Sequence, residues 1–169
     1  MQLSFLPSKI NQNDVVYTPD AVARDIVNYF NPSGMCLDPC LGDGAFYKYL
    51  PSGREWCEIE KGRDFFFWSK PVDWIVGNPP YSIFSDWLRH SMELAPNIVY
   101  LIPIAKVYSV EGRMKEIYQW GGIVETVYYG KGTELGFPFG FPAGAVYIRR
   151  GFGGPIKVSF RQVPLTNRS

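Results

Sequence analysis

The chain has 169 residues, 46% of them apolar and 20% charged, enough to bury one domain-sized core and too apolar for a disordered chain. Seventeen Lys and Arg against sixteen Asp and Glu leave a net charge of +1, which excludes a strong polyelectrolyte. Three cysteines and one histidine are too few for a disulfide framework or a zinc site, so no metal is expected.

No apolar run reaches the ~18 residues of a membrane span. The start MQLSFLPSKINQ lacks the charged, apolar and small-residue regions of a signal peptide. A single cytoplasmic domain over 1–169 is expected, with a loose tail at 162–169. In chain order, Thr18-Pro19-Asp20 reads as a helix start: a capping hydroxyl, a proline at the first helical position and an early carboxylate. Val22, Ile26, Val27 and Phe30 continue it as an apolar stripe that Asn31-Pro32 ends. Met35-Cys36-Leu37-Asp38 predicts a short buried strand, then a glycine-containing loop over 39–44 and a helix over 45–49.

The next strand is expected over 54–59. Only Glu60-Lys61-Gly62-Arg63 separates it from Asp64-Phe65-Phe66-Phe67, where a doubly wound unit normally places a crossover helix of about ten residues or more. The fold is therefore expected to be trimmed after its second strand. A third strand follows over 72–76, then a helix over 82–94, a buried strand over 97–102 and an amphipathic helix over 110–120. Segments 123–129 and 145–149 read as a strand pair around a loop dense in Gly, Phe and Pro, and 156–160 as a last short strand. The pattern is α/β: a doubly wound, mostly parallel sheet with an antiparallel hairpin at its edge.

Three constellations carry chemistry. In Leu37-Asp38-Pro39-Cys40-Leu41-Gly42-Asp43-Gly44-Ala45-Phe46, an acid at a strand end precedes two glycines that let backbone amides approach a ligand. Glu58, near the end of the next strand, suits the two hydroxyls of a ribose, and Asp64 is placed to accept from an exocyclic amine. Each also has a plain structural reading, as a turn, a surface acid or a turn acid. The third is Asn78-Pro79-Pro80-Tyr81. Its two prolines remove two donors and stiffen the chain, which leaves the Asn78 side-chain oxygen and the Pro79 carbonyl as an acceptor pair beside an aromatic ring.

Together these motifs resemble the S-adenosylmethionine-dependent N6-adenine DNA methyltransferases in their gamma motif order. The resemblance implies a Rossmann-like class I fold and S-adenosylmethionine as cofactor. It implies that Tyr17, Thr18 and Pro19 close over the methionine part of the cofactor. Asp38, Pro39, Gly42, Gly44 and Phe46 would form its loop, with Glu58 on the ribose, Asp64 beside the adenine, and Asn78 bordering the site. Asn78, Pro79, Pro80 and Tyr81 would be the catalytic motif. Tyr81 would stack on a target base, with a second ring from 137–142; Phe137 and Phe139 are the expected ones. A chemistry of acceptors and positioning needs no histidine base, and His90 reads as structural.

At this length no separate target-recognition domain is expected. Residues 1–100 carry eight basic and twelve acidic side chains, whereas 101–169 carry nine and four. Lys106, Arg113, Arg149 and Arg150, with Lys157 and Arg161, are therefore the expected phosphate contacts, which position a substrate without reading much sequence. The expected partner is DNA, with self-association a further expectation. The alternatives are an RNA adenine, a protein glutamine, or a non-catalytic nucleic-acid-binding subunit. Restriction–modification, phage self-protection and orphan regulatory methylation, in a bacterial or phage-infected cell, all fit.

Overall fold

The computed structural model of the chain describes residues 16–165. Helix α1 (Asp20–Phe30) starts one residue later than the proline rule suggests. Pro19 is its cap, and the Pro19 carbonyl accepts from the Val22 and Ala23 amides at 3.0 and 3.1 Å. The Thr18 hydroxyl makes no helix cap and is used elsewhere. The helix stops at Asn31, whose left-handed conformation (φ 49°) is one that Asn tolerates better than most residues.

Among the described residues seven strands form one mixed sheet: β1 (Cys36–Asp38), β2 (Arg54–Trp56), β3 (Trp74–Gly77), β4 (Asn97–Pro103), β5 (Gly121–Lys131), β6 (Pro142–Arg150) and β7 (Lys157–Phe160). Their spatial order is β2-β1-β3-β4-β6-β5-β7. β6 alone runs antiparallel to its neighbours, pairing with both β4 and β5. The hairpin sits toward the expected edge, but its second strand inserts between β4 and β5. β7, parallel to β5, becomes the outermost strand.

The strands alternate faces with period two, and both faces are covered. Leu37, Ile75, Ile98, Tyr100, Ile102, Val146 and Ile148 pack on one face with α2 (Phe84–Leu94), α3 (Ile104–Tyr108) and α4 (Glu111–Trp120). Cys36, Val76, Val99, Leu101, Val127 and Ala145 pack on the other, with α1. This double burial is why 97–102 reads as a continuous apolar run. Tyr100 is a polar member of that core, and its hydroxyl is satisfied by the Trp87 indole at 3.1 Å and by Ser91 at 2.7 Å.

Between β2 and β3 the described chain makes only two short 3-10 turns, Ile59–Lys61 and Phe65–Phe67, so the sheet is trimmed there as the sequence implied. The helix expected over 45–49 is also only a 3-10 turn, Tyr47–Tyr49. Pro51 follows at once and holds Leu50 in an extended conformation, which leaves no room for a second turn. α3, directly after β4, was not foreseen, because five residues are too few to show a helical period. Val163 and Leu165 pack against the α1-side core, so the start of the expected loose tail is anchored. Residues 166–169 lie outside the described residues. No described helix is long and apolar enough to cross a membrane.

Candidate functional site

The carboxyl ends of β1 and β3 lie side by side, which is where open α/β sheets place ligands. β1 ends on Asp38, and the chain then turns through Gly42 (φ 53°) and Gly44 (φ 85°), conformations that strain any side chain. β3 ends on Gly77. A Cβ there would come within 3.0 Å of the Pro39 ring and 3.1 Å of Asp38 Oδ1, so only glycine lets the two loops approach. Asn78 follows directly.

Asp38 is 1% exposed. Its Oδ1 accepts from the Cys40 amide at 3.2 Å, whereas Oδ2 has no hydrogen-bond partner among the described residues. Burial pushes its carboxyl up to about 7; the Cys40 and Tyr47 amides temper the rise, and the Glu58 and Asp43 carboxylates add to it. A buried oxygen left unpaired costs about 1–3 kcal/mol, which marks this as a place where a donor is wanted. Cys40 donates its thiol to the Asn78 main-chain carbonyl at 2.6 Å, and burial holds that thiol protonated at neutral pH.

The Asn78 side chain is held at both ends. Its Nδ2 donates to the Val16 carbonyl and to Thr18 Oγ1, each at 3.1 Å, and its Oδ1 accepts from the Tyr81 hydroxyl at 2.7 Å. Val16, Tyr17 and Thr18 thus form one wall of a small cavity that also includes Gly42, Phe46 and Asn78. Its volume is about 30 Å³, against ~300 Å³ or more for ligand pockets. Tyr17 is the exposed part of the wall, at 59%, and a Cβ on Gly42 would lie 3.8 Å from its ring.

Glu58 and Asp64 are engaged with backbone rather than free. Glu58 Oε2 accepts from the Gly42 amide at 2.9 Å, and its Oε1 caps the following turn through Glu60 N at 3.3 Å. Asp64 Oδ1 caps the next turn through Phe66 N at 3.0 Å. The site therefore brings Tyr17, Thr18, Pro39, Gly42, Gly44, Phe46, Glu58, Asn78, Pro79, Pro80 and Tyr81 to one end of the sheet, with Asp38 beneath.

Of the two expected stacking rings, Phe139 lies against Tyr81, with centroids 5.8 Å apart and planes at 76°. Phe137 is 3% exposed and belongs to the core. Phe141, 65% exposed, continues the aromatic row outward from Phe139 at 6.5 Å.

The basic residues separate. Lys106, on α3, is exposed at the site end of the sheet. Arg113 is an internal brace: it donates to the Lys106 carbonyl and to Ser85 Oγ, and lies 5.0 Å over the Phe84 ring. Arg149 and Arg150 pair with Asn97 and Gly121, the first residues of β4 and β5. Because β6 runs antiparallel, that is the amino end of its neighbours; Asn97 also pairs with Trp74, four residues and roughly 13 Å before Asn78. These two arginines do not reach the site. Arg161 is held by Asp25 at 2.7 and 2.8 Å, and Lys157 is 3.6 Å from Glu125. His90 is structural, its Nε2 lying 2.9 and 3.0 Å from the Phe65 and Trp68 carbonyls.

No protein-family model and no curated protein sequence matches the chain. Solved structures do match its fold. A candidate class I S-adenosylmethionine-dependent methyltransferase from Listeria monocytogenes superposes with a TM-score of 0.63 at 13% identity, over 90% of this chain and 67% of that one. The modification subunit of a candidate type I restriction enzyme from Vibrio vulnificus YJ016 gives 0.59 at 14%, over 90% of this chain and 48% of its own length. The 23S rRNA methyltransferase ErmE gives 0.61 at 16%, over 79% and 70%. The chain thus spans about half the length of the restriction-system subunit, and at these identities the likeness is one of fold.

Proposed function

We propose that this chain transfers a methyl group from S-adenosylmethionine to the N6 amine of an adenine in DNA. The observation that carries the reading is Asn78: its amide nitrogen is spent on Val16 and Thr18, so its oxygen is presented at the strand end beside the Tyr81 and Phe139 rings. The residues at the strand ends fit the cofactor in chemistry. Asp38 has a buried oxygen lacking a donor, and the Gly42–Gly44 turn and Gly77 keep backbone surfaces bare of side chains. They fit it in volume only once Tyr17 and the 40–46 loop part. S-adenosylmethionine, when bound, supplies an electrophilic methyl on a sulfonium.

The chain's own residues then have separable tasks. Asp38 gives up its proton to meet positive charge, Glu58 exchanges the Gly42 amide for ribose hydroxyls, and Tyr17 excludes water. An adenine amine is a poor nucleophile because its lone pair is delocalised into the ring. If Asn78 Oδ1 and the Pro79 carbonyl each accept one N–H, that lone pair is drawn out of conjugation and aimed at the methyl. The rest is positioning, a proximity effect, and the surplus proton leaves to solvent.

Tyr81 and Phe139 would hold the base after it leaves its helix. An RNA adenine is the second reading, favoured by the fold shared with an rRNA methyltransferase. Incubation with methyl-labelled cofactor and unmethylated DNA or RNA, followed by nucleoside analysis, tests both. Label in N6-methyladenine from DNA is expected; cofactor bound with no label in adenine would refute the reading.

A further inference from the structure

We propose that Thr18 is a positioning residue for Asn78: together with the Val16 carbonyl it forms a two-point clamp that fixes the plane of the Asn78 amide and presents Oδ1 to the substrate. The proposal rests on Asn78 accepting the substrate amine.

The geometry is specific. An amide nitrogen has two hydrogens, and here each has its own acceptor at 3.1 Å: a main-chain carbonyl and a hydroxyl two residues further on. The Val16 carbonyl has no proton to give, so it accepts an N–H and repels the amide oxygen. It therefore decides which way the amide faces. One such bond would still leave the amide free to swing about it. The second bond, to Thr18 Oγ1, fixes the plane.

Thr18 is itself 7% exposed, next to Pro19, whose ring fixes its own φ and restricts Thr18 to extended conformations. Its hydroxyl would ordinarily cap α1, yet no side chain caps that helix, and the first turn is satisfied by the Pro19 carbonyl instead. The hydroxyl is thereby left for Asn78, 60 residues away in the chain. At the opposite end of the amide, the Tyr81 hydroxyl occupies Oδ1 at 2.7 Å, in the place a substrate N–H would take. The clamp keeps that oxygen in place when Tyr81 gives way.

The test compares Thr18→Val, which keeps shape and removes the acceptor, with Thr18→Ser, which keeps the acceptor. Two readouts are used: methyl transfer at saturating cofactor and substrate, and the side-chain NH2 signals of Asn78 in asparagine-labelled full-length protein. Thr18→Val is expected to lower kcat about tenfold, the worth of one hydrogen bond in the transition state. Thr18→Ser should restore kcat to within about twofold. The Asn78 NH2 signals should move and exchange faster with water in Thr18→Val and be retained in Thr18→Ser. Unchanged signals in Thr18→Val would overturn the clamp, as would an equal loss of kcat in both variants. Moved signals in a chain that transfers no methyl group would support the clamp and count against the methyl-transfer reading alone.

Discussion

Asp38 offers a measurable test of how the strand-end site is built. Its carboxyl is raised from 3.8 to about 7, chiefly by complete burial, so the folded chain keeps a proton that the unfolded chain has already lost. The sign follows from linkage: where the folded state binds more protons, stability falls as pH rises. This contribution is fully present below about pH 4, is lost progressively up to about pH 7, and is then flat; the interval is worth ~4 kcal/mol. Asp38→Asn keeps the oxygen that accepts from Cys40 and removes the titration. The assay is urea unfolding of both proteins from pH 4 to pH 8. The stability of Asp38→Asn relative to wild type should climb by up to about 4 kcal/mol across that range. The difference between the two proteins cancels the slopes of the other carboxylates. A difference independent of pH would show that Asp38 is ionised in the fold and that burial does not raise its carboxyl.

Three further substitutions separate the parts of the site. Tyr81→Phe removes the hydroxyl that occupies Asn78 Oδ1 and keeps the ring; steady-state kinetics should show KM for the nucleic acid lowered about two- to tenfold with kcat retained, whereas a large loss of kcat would give the hydroxyl a chemical role. Phe137→Ala opens the core and should cost about 3–5 kcal/mol in unfolding experiments. Phe139→Ala should cost less stability and lower transfer more, because Phe139 is the ring against Tyr81.

The sequence displayed the sheet because burial on both faces leaves unbroken apolar runs, as in Ile98–Ile102, and because glycines and prolines punctuate the strand ends. It displayed the trimmed crossover for a simpler reason: four residues cannot hold a helix. Four features were hidden. A five-residue helix such as α3 has no period to read. The insertion of β6 between β4 and β5 is a choice among pairings that one strand's pattern does not encode. Thr18 looked like a cap because Thr-Pro-Asp is a good helix start locally; its competing partner, Asn78, is 60 residues away, and local chemistry carries no trace of it. In the aromatic loop, Phe137, Phe139 and Phe141 are chemically alike, and only the turn at Gly132–Leu135 and the approach of Tyr81 sort them into core, site and surface.

The charge asymmetry also changes meaning once the side chains are placed. Of the nine basic residues in the second half, Arg161, Lys157 and Lys115 are in ion pairs and Arg113 is an internal brace. Arg149 and Arg150 stand at the opposite end of the sheet, and Arg168 lies outside the described residues. Lys106 and Lys131, the latter ending β5, remain at the carboxyl end outside the ion pairs of the described residues. Two phosphate contacts predict a shallow salt dependence: log K against log salt should fall with a slope of about −1.4 for a single strand or −1.8 for a duplex. Fluorescence anisotropy with labelled oligonucleotides over a range of salt would measure it. Lys106→Ala and Lys131→Ala should each flatten the slope by about 0.7–0.9, and Arg149→Ala with Arg150→Ala should leave it unchanged. A steeper slope that responds to the two arginines would place the binding face at the amino end of β4 and detach it from Asn78.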